Sequence, residues 1–327
     1  MPIRQIVYRK LRPMTKVTLE QLLSHSKLKT NDSEALAEHL AGMSKVKILL
    51  NKKDFIVSEK ITKEFKSAER EILNGFPIQY VLGTCNFYGR EFIVNRNVLI
   101  PRPETEILVQ EASKFIKSKV HKVKTINIID IGTGSGCIAI SLFKELNKLF
   151  TPSPLLPAKR TTSCYRMEHK VRGHAFHFSL FTILATDISP PALYVARKNA
   201  QKHHARIKFL KSDLFSNSKL PKKFDLILAN LPYLPSDYLL ENDALKHEPR
   251  LALDGEEDGM EIIEELIDIL PKKLNQNALA ILEIDPRQKL KIQKHLKNFS
   301  KLKFLFKEDL NTKTRFLLLG KNSLFNY

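Results

Sequence analysis

The chain has no tryptophan, three cysteines and 11 glycines in 327 residues, and it is short of negative charge. Each shortage excludes something. Cys85, Cys137 and Cys164 are scattered and odd in number, so they make no disulfide framework and point to a reducing compartment. No apolar run approaches the roughly 18 residues a membrane span needs, so no membrane role is expected; the cytoplasm is the expected location, with an organelle left open by the basic start. The segment from Met1 to Leu19 is basic and free of acid, as a transit peptide is, but it has no serine. It reads as a basic, poorly ordered start. With 43% hydrophobic and 27% charged residues, the composition excludes collagen, low-complexity chains and wholesale disorder. Basic residues number 54 against 35 acidic ones, a net charge of +19. Such a surplus suits an anionic partner, nucleic acid first, without saying which part of the chain meets it.

At roughly 150 residues per domain the length suits about two domains. Apolar residues at helical spacing from Asp32 to Leu50 and from Ser58 to Asn74 predict a small helical domain, with Ser58 as an N-cap and Gly75 just past a helix end. Alternation over Phe87 to Ile100 predicts a hairpin around Tyr88-Gly89, and Pro101-Arg102-Pro103 an extended connector. The boundaries expected are a helical domain over 1–85, a hairpin and connector over 86–105, and a third region over 106–327. In that third region five apolar strands alternate with helices: Thr125 to Ile131, Leu180 to Thr186, Arg206 to Leu210, Phe224 to Ala229 and Ala278 to Ile284. A closing pair follows over Leu302 to Phe306 and Arg315 to Leu319. This order predicts a doubly wound, mostly parallel α/β sheet. Residues 150–179 interrupt it with a proline-containing, basic insertion. Its Cys164, His169, His174 and His177 match no zinc-site spacing, and it reads as a surface loop.

Glycine is scarce overall, yet three of the 11 fall within five positions at Gly132, Gly134 and Gly136, between a predicted strand and a predicted helix. A turn of that kind lets a ligand approach the backbone closely. The dinucleotide fingerprint places its third small residue one position later, at Cys137, and fits imperfectly. A Gly-x-Gly-x-Gly turn suits S-adenosylmethionine, which carries no phosphate. Asp187, at the end of the next strand, has two oxygens for two ribose hydroxyls, although a helix N-cap would look the same. Asp213 follows the third strand, where an adenine edge would be met, although a solvent-facing turn residue would also look the same.

Asn230-Leu231-Pro232-Tyr233 discriminates between these readings. It resembles the Asn-Pro-Pro-Tyr signature of methyltransferases that modify planar nitrogens. The lone pair of an amide or aromatic amine is delocalised and a poor nucleophile. An asparagine side-chain oxygen and the next backbone carbonyl can accept both N–H bonds, aim the lone pair at a sulfonium methyl and stabilise the charge that develops. Tyr233 can pack against the planar target. Leu231 stands where the signature has its first proline, but the acceptor is a backbone carbonyl, which leucine also has.

The chain resembles the HemK/PrmC family, the peptide chain release factor N(5)-glutamine methyltransferases, from about Asp32 onwards apart from the insertion. The resemblance rests on Pro77 to Gly83, Phe87-Tyr88-Gly89, Leu99 to Glu106 and His247-Glu248-Pro249, with Ala252 to Gly255 and Asp258-Gly259-Met260. It implies a helical N-terminal domain that helps recognise a release factor, and a seven-stranded Rossmann-like methyltransferase domain. It also implies transfer from S-adenosylmethionine to the glutamine of a Gly-Gly-Gln loop in a class 1 release factor, by a monomer. By the same resemblance Gly132, Thr133, Gly134, Ser135 and Gly136 hold the methionine part, Asp187 the ribose, and Asp213 and Leu214 the adenine. Asn230, Leu231, Pro232 and Tyr233 bind the glutamine amide; Asn230, Pro232 and Tyr233 form the catalytic set, and Asn230 also borders the cofactor. The family often has an aromatic residue where Leu214 stands, so adenine stacking is reduced here. The rival reading is an rRNA or DNA exocyclic-amine methyltransferase. It shares the glycine turn and the tetrapeptide and is favoured by the charge, but it does not account for Pro101 to Glu106 or the helical domain. No metal site is expected, and direct nucleic-acid contact is not required.

Overall fold

The computed structural model describes residues 17–119, 125–150 and 181–321. The chain divides into two compact units, Met1–Leu82 and Gly83–Tyr327. In the first, a two-residue strand β1 (Val17–Thr18) leads into α1 (Leu19–Ser24), whose start is closed by a reciprocal capping box between Thr18 and Gln21. Then come α2 (Thr30–Ala41), α3 (Lys45–Asn51), β2 (Ile56–Val57, paired with β1), α4 (Glu59–Leu73) and α5 (Ile78–Leu82). Leu19, Leu22, Leu36, Ile48, Val57 and Phe65 meet in one small core. The helix expected over Asp32 to Leu50 is two helices. Gly42 adopts a left-handed conformation (φ 62°) that ends α2, and Ser44 precedes a new start. The other expected helix holds as α4, with the Ser58 hydroxyl accepting from the Ile61 N–H at 3.3 Å.

The second unit opens with the hairpin β3 (Thr84–Phe87) and β4 (Arg90–Ile93), turned at Tyr88-Gly89. The pairing begins earlier than the alternation suggested and does not reach Ile100, because Asn95 to Val98 close a turn of their own. Arg102 is extended, but Pro103–Thr105 already form a 3₁₀ turn, since proline suits the first turn of a helix. That turn feeds α6 (Glu106–Lys119). Next come β5 (Ile126–Ile131), α7 (Cys137–Phe150), β6 (Phe181–Asp187), α8 (Pro190–Lys202), β7 (Lys208–Lys211) and β8 (Phe224–Asn230). The chain then runs through α9 (Ser236–Glu241), α10 (Glu261–Lys273), β9 (Leu274–Glu283), α11 (Lys289–Leu296), β10 (Lys303–Glu308) and β11 (Thr314–Gly320).

The seven strands lie in the order β10-β11-β9-β8-β5-β6-β7. All neighbouring pairs are parallel except those made by β11 with β9 and β10. Two clusters of buried apolar side chains cover the sheet's two faces, one packed from α6 and α7 and the other from α10 and α11. Strands covered on both faces read as nearly continuous apolar runs, as INIIDI of β5 and FDLILAN of β8 do. Strand order reverses at β5, where β6 lies on one side and β8 on the other. A crevice therefore opens beyond the carboxyl ends of these strands. The expected insertion's first residue, Phe150, still belongs to α7; its residues 151–179, with the cysteine and histidines, lie outside the described residues, as do the first 16. Among the described residues no helix is long and apolar enough to cross a membrane.

Candidate active site

That crevice holds a cavity of about 360 Å³, lined by residues from Gly132 to Ser135, by Asp187, by Asp213 and Leu214, and by Asn230, Leu231 and Pro232. Residues read from four separate stretches of sequence thus share one wall. The turn after β5 is built from the inside. Asp130 is fully buried, and the Thr133 hydroxyl donates to its Oδ2 at 2.6 Å. Burial, with Asp187 nearby, pushes the Asp130 carboxyl up to about 7. Gly132 has φ 69°, and a Cβ there would lie 2.8 Å from Leu231 Cδ2. The leucine that departs from the signature therefore occupies the space that this glycine leaves. Gly136 is not part of the lining: a Cβ on it would meet Ile140 and Ala196 at 3.0 and 3.3 Å, so it allows α7 and α8 to approach.

Asp187 is not the N-cap of α8; Ser189 is, accepting from Ala192. Instead Asp187 Oδ2 accepts the Gly134 N–H and Oδ1 the Ser189 N–H, each at 2.9 Å. The Ile188 N–H also faces this carboxylate. Burial raises the Asp187 pKa, and the backbone N–H groups oppose that rise. After β7, Leu214 is buried in the left-handed region (φ 39°), and Ser212 Oγ holds its carbonyl at 2.9 Å. Asp213 is exposed at the rim.

At the end of β8 the Asn230 amide is held on its nitrogen side. Nδ2 donates to Thr105 Oγ1 at 3.2 Å, and that hydroxyl donates to Glu283 Oε2 at 2.7 Å. Asn230 and Glu283 are cross-strand partners of β8 and β9. Tyr233 does not line the cavity. Its hydroxyl lies 3.4 Å from Glu283 Oε1, and burial together with Glu283 pushes its pKa up. Its carbonyl accepts from Gln288 Nε2 at 3.3 Å, and a Cβ on Gly255 would come within 2.9 Å of its Cα.

Several residues that position the site drew no role from the sequence. Glu248 is buried, pairs with Arg102 and accepts the Ile100 N–H at 3.1 Å, so it ties the Leu99 to Glu106 stretch to the loop after β8. Asn199, fully buried on α8, accepts from Ile93 N–H at 2.7 Å and donates to the carbonyls of Ile93 and Ser135 at 2.9 Å each. Among the described residues, the charged side chains of the lining are Asp187, Asp213, Glu256 and Glu265 against Arg102. This acidic cavity in a chain of net charge +19 suits a cationic ligand and disfavours a phosphate-bearing one. Half-buried glycine backbone, the Asp187 carboxylate and apolar walls at Ile131, Leu214 and Ile138 complete a lining that fits S-adenosylmethionine.

The sheet order and this site define a class I methyltransferase. A PrmC N-terminal domain family matches residues 17–83, and a methyltransferase small domain family matches residues 177–240. The release factor glutamine methyltransferase of Chlorobaculum tepidum is 32% identical over 260 residues, covering 77% of this chain and 77% of that protein. That of Bacillus subtilis is 30% identical over 298 residues, covering 89% of this chain and 92% of that protein. A bifunctional methyltransferase of Rickettsia typhi is 33% identical over 84% of this chain, which matches 52% of that protein. The chain belongs to the release factor glutamine methyltransferase family.

Proposed function

We propose that the chain methylates the side-chain amide nitrogen of the glutamine in the Gly-Gly-Gln motif of a class 1 release factor, with S-adenosylmethionine as donor. The observation that carries this reading is the fixed Asn230 amide. Because Nδ2 is committed to Thr105, Oδ1 is the free atom of this amide and can accept one N–H of an incoming primary amide. The Leu231 backbone carbonyl is the natural acceptor for the other. Held by both N–H groups, the amide presents its lone pair instead of rotating, and charge growing on nitrogen meets two oxygens. The bound donor supplies an electrophilic sulfonium methyl. The nitrogen gains that methyl and releases one proton to solvent, and the site needs no general base for the transfer.

In this reading Gly132 to Ser135, Asp187, Asp213 and Leu214 hold the donor, while Asn230, Leu231 and Pro232 orient the acceptor. Gly136 acts through packing. Tyr233 acts from behind, through Glu283. The N-terminal helical unit recognises the release factor, and the chain acts as a monomer in the cytoplasm. Purified protein, labelled S-adenosylmethionine and a release factor should yield one methyl group on the Gly-Gly-Gln glutamine, read by peptide mass spectrometry and absent when that glutamine is replaced by alanine. Label entering rRNA or DNA but not the release factor would establish the rival activity.

A further inference from the structure

We propose that Thr105 and Glu283 are positioning residues that select the orientation of the Asn230 amide, keeping its oxygen towards the cavity so that the site accepts only a target nitrogen that donates hydrogen bonds. This rests on the role just given to Asn230. The argument is one of hydrogen-bond counting. A threonine hydroxyl carries one proton, and an ionised carboxylate carries none. With Glu283 ionised, the Thr105 proton goes to Oε2 at 2.7 Å, and Oγ1 has only lone pairs left for Asn230 at 3.2 Å. Only the NH₂ end of the Asn230 amide can satisfy it. A flipped amide would set oxygen against oxygen and turn NH₂ to the cavity, where it would meet the N–H groups of the target. The Tyr233 hydroxyl, 3.4 Å from Oε1, occupies the other carboxylate oxygen with a second donor. The chain of groups therefore has one direction, from Asn230 through Thr105 to Glu283.

Protonating Glu283 removes that direction. Its own proton can then go to Thr105, whose hydroxyl becomes free to donate to an Asn230 oxygen. The groups facing Glu283 are Thr105 before α6, Tyr233 after β8, Arg315 on β11 and Glu104. Burial is the largest influence and raises its pKa; Thr105, Arg315 and Tyr233 lower it, Glu104 raises it, and the outcome is about 7. Asp285 and Arg102 reach the relay through Tyr233. Orientation of Asn230 is thereby coupled to pH near neutrality.

Two readouts test the relay, one of them independent of turnover. In wild type, kcat should rise with pH on a limb centred near pH 7, and the Asn230 side-chain NH₂ resonances, assigned by their loss in Asn230→Ala, should titrate with the same midpoint. In Glu283→Gln both titrations should vanish. Thr105→Val should lose about 100-fold in kcat with cofactor affinity unchanged, and Thr105→Ser should restore most of it. Equal loss in Thr105→Ser, parallel loss of cofactor affinity, or an acid limb that survives in Glu283→Gln would overturn the proposal. If Asn230 titrates as described but no glutamine is methylated, the relay stands and the substrate assignment falls. If glutamine is methylated and the resonances do not titrate, the reverse holds.

Discussion

At the scale of single residues, the site separates side chains that face the cavity from those that only hold them. Asn230 faces it, and its loss should fall on the chemical step. Asn230→Ala is expected to lower kcat by about 100-fold or more while leaving cofactor affinity close to wild type, measured by steady-state kinetics beside calorimetric titration. Equal loss of both would place Asn230 chiefly against the cofactor. Gly132 is a different case. Its φ of 69° is expensive for an L side chain, and an alanine Cβ would press on Leu231 at 2.8 Å. Gly132→Ala should therefore cost roughly 1–3 kcal/mol in stability and weaken cofactor and acceptor binding together, because the displaced residue lies on the proposed acceptor side. Gly132 was legible in the sequence because a glycine cluster after an apolar strand has few other uses. Thr105 and Glu283 were not: a threonine beside a proline turn and a glutamate ending a strand acquire a role only when β8 and β9 pair.

At the scale of elements, the parallel strands and the order of the α/β units could be read from the sequence, since strands buried on both faces are apolar runs bounded by turns. The alternation from Phe87 misled because period two marks exposure, not pairing, and Val94, Val98 and Ile100 are buried without belonging to β4. The tie between this hairpin and the glycine turn was invisible as well, for it runs through one buried amide on α8. Asn199 saturates both backbone groups of Ile93 and the carbonyl of Ser135. Asn199→Ala would leave all three without that partner, and each buried polar group so stranded costs about 1–3 kcal/mol. The variant should lose several kcal/mol by urea denaturation, and amide exchange should quicken at β4 and the glycine turn before it does in α10.

At the scale of the whole molecule, net charge was the most misleading signal. A surplus of +19 pointed to nucleic acid, yet the charged lining of the cavity is mostly acidic. Two of the buried carboxylates give the fold its own pH dependence. Asp130 and Glu283 both sit near 7, against ordinary values of 3.8 and 4.5, because burial disfavours the charged form. Below about pH 3 each is protonated whether the chain is folded or not. Between there and pH 7 the unfolded chain ionises while the folded one keeps its protons, so unfolding releases protons and stability falls as pH rises. The fall from Glu283 amounts to about 3 kcal/mol by pH 7 and is flat above it. Asp285 and Asp254, whose pKa values are lowered, contribute with the opposite sign, so the comparison must be with a variant at matched pH. Glu283→Gln should gain on wild type steadily between pH 4.5 and pH 7 in chemical denaturation, then run parallel to it. Losing ground over that interval would mean that the folded state holds Glu283 ionised throughout. The two demands on this carboxylate conflict: the fold is most stable when Glu283 keeps its proton, whereas the proposed orientation of Asn230 requires that the proton leave. The loss of stability should therefore level off near pH 7, in the same interval in which turnover appears.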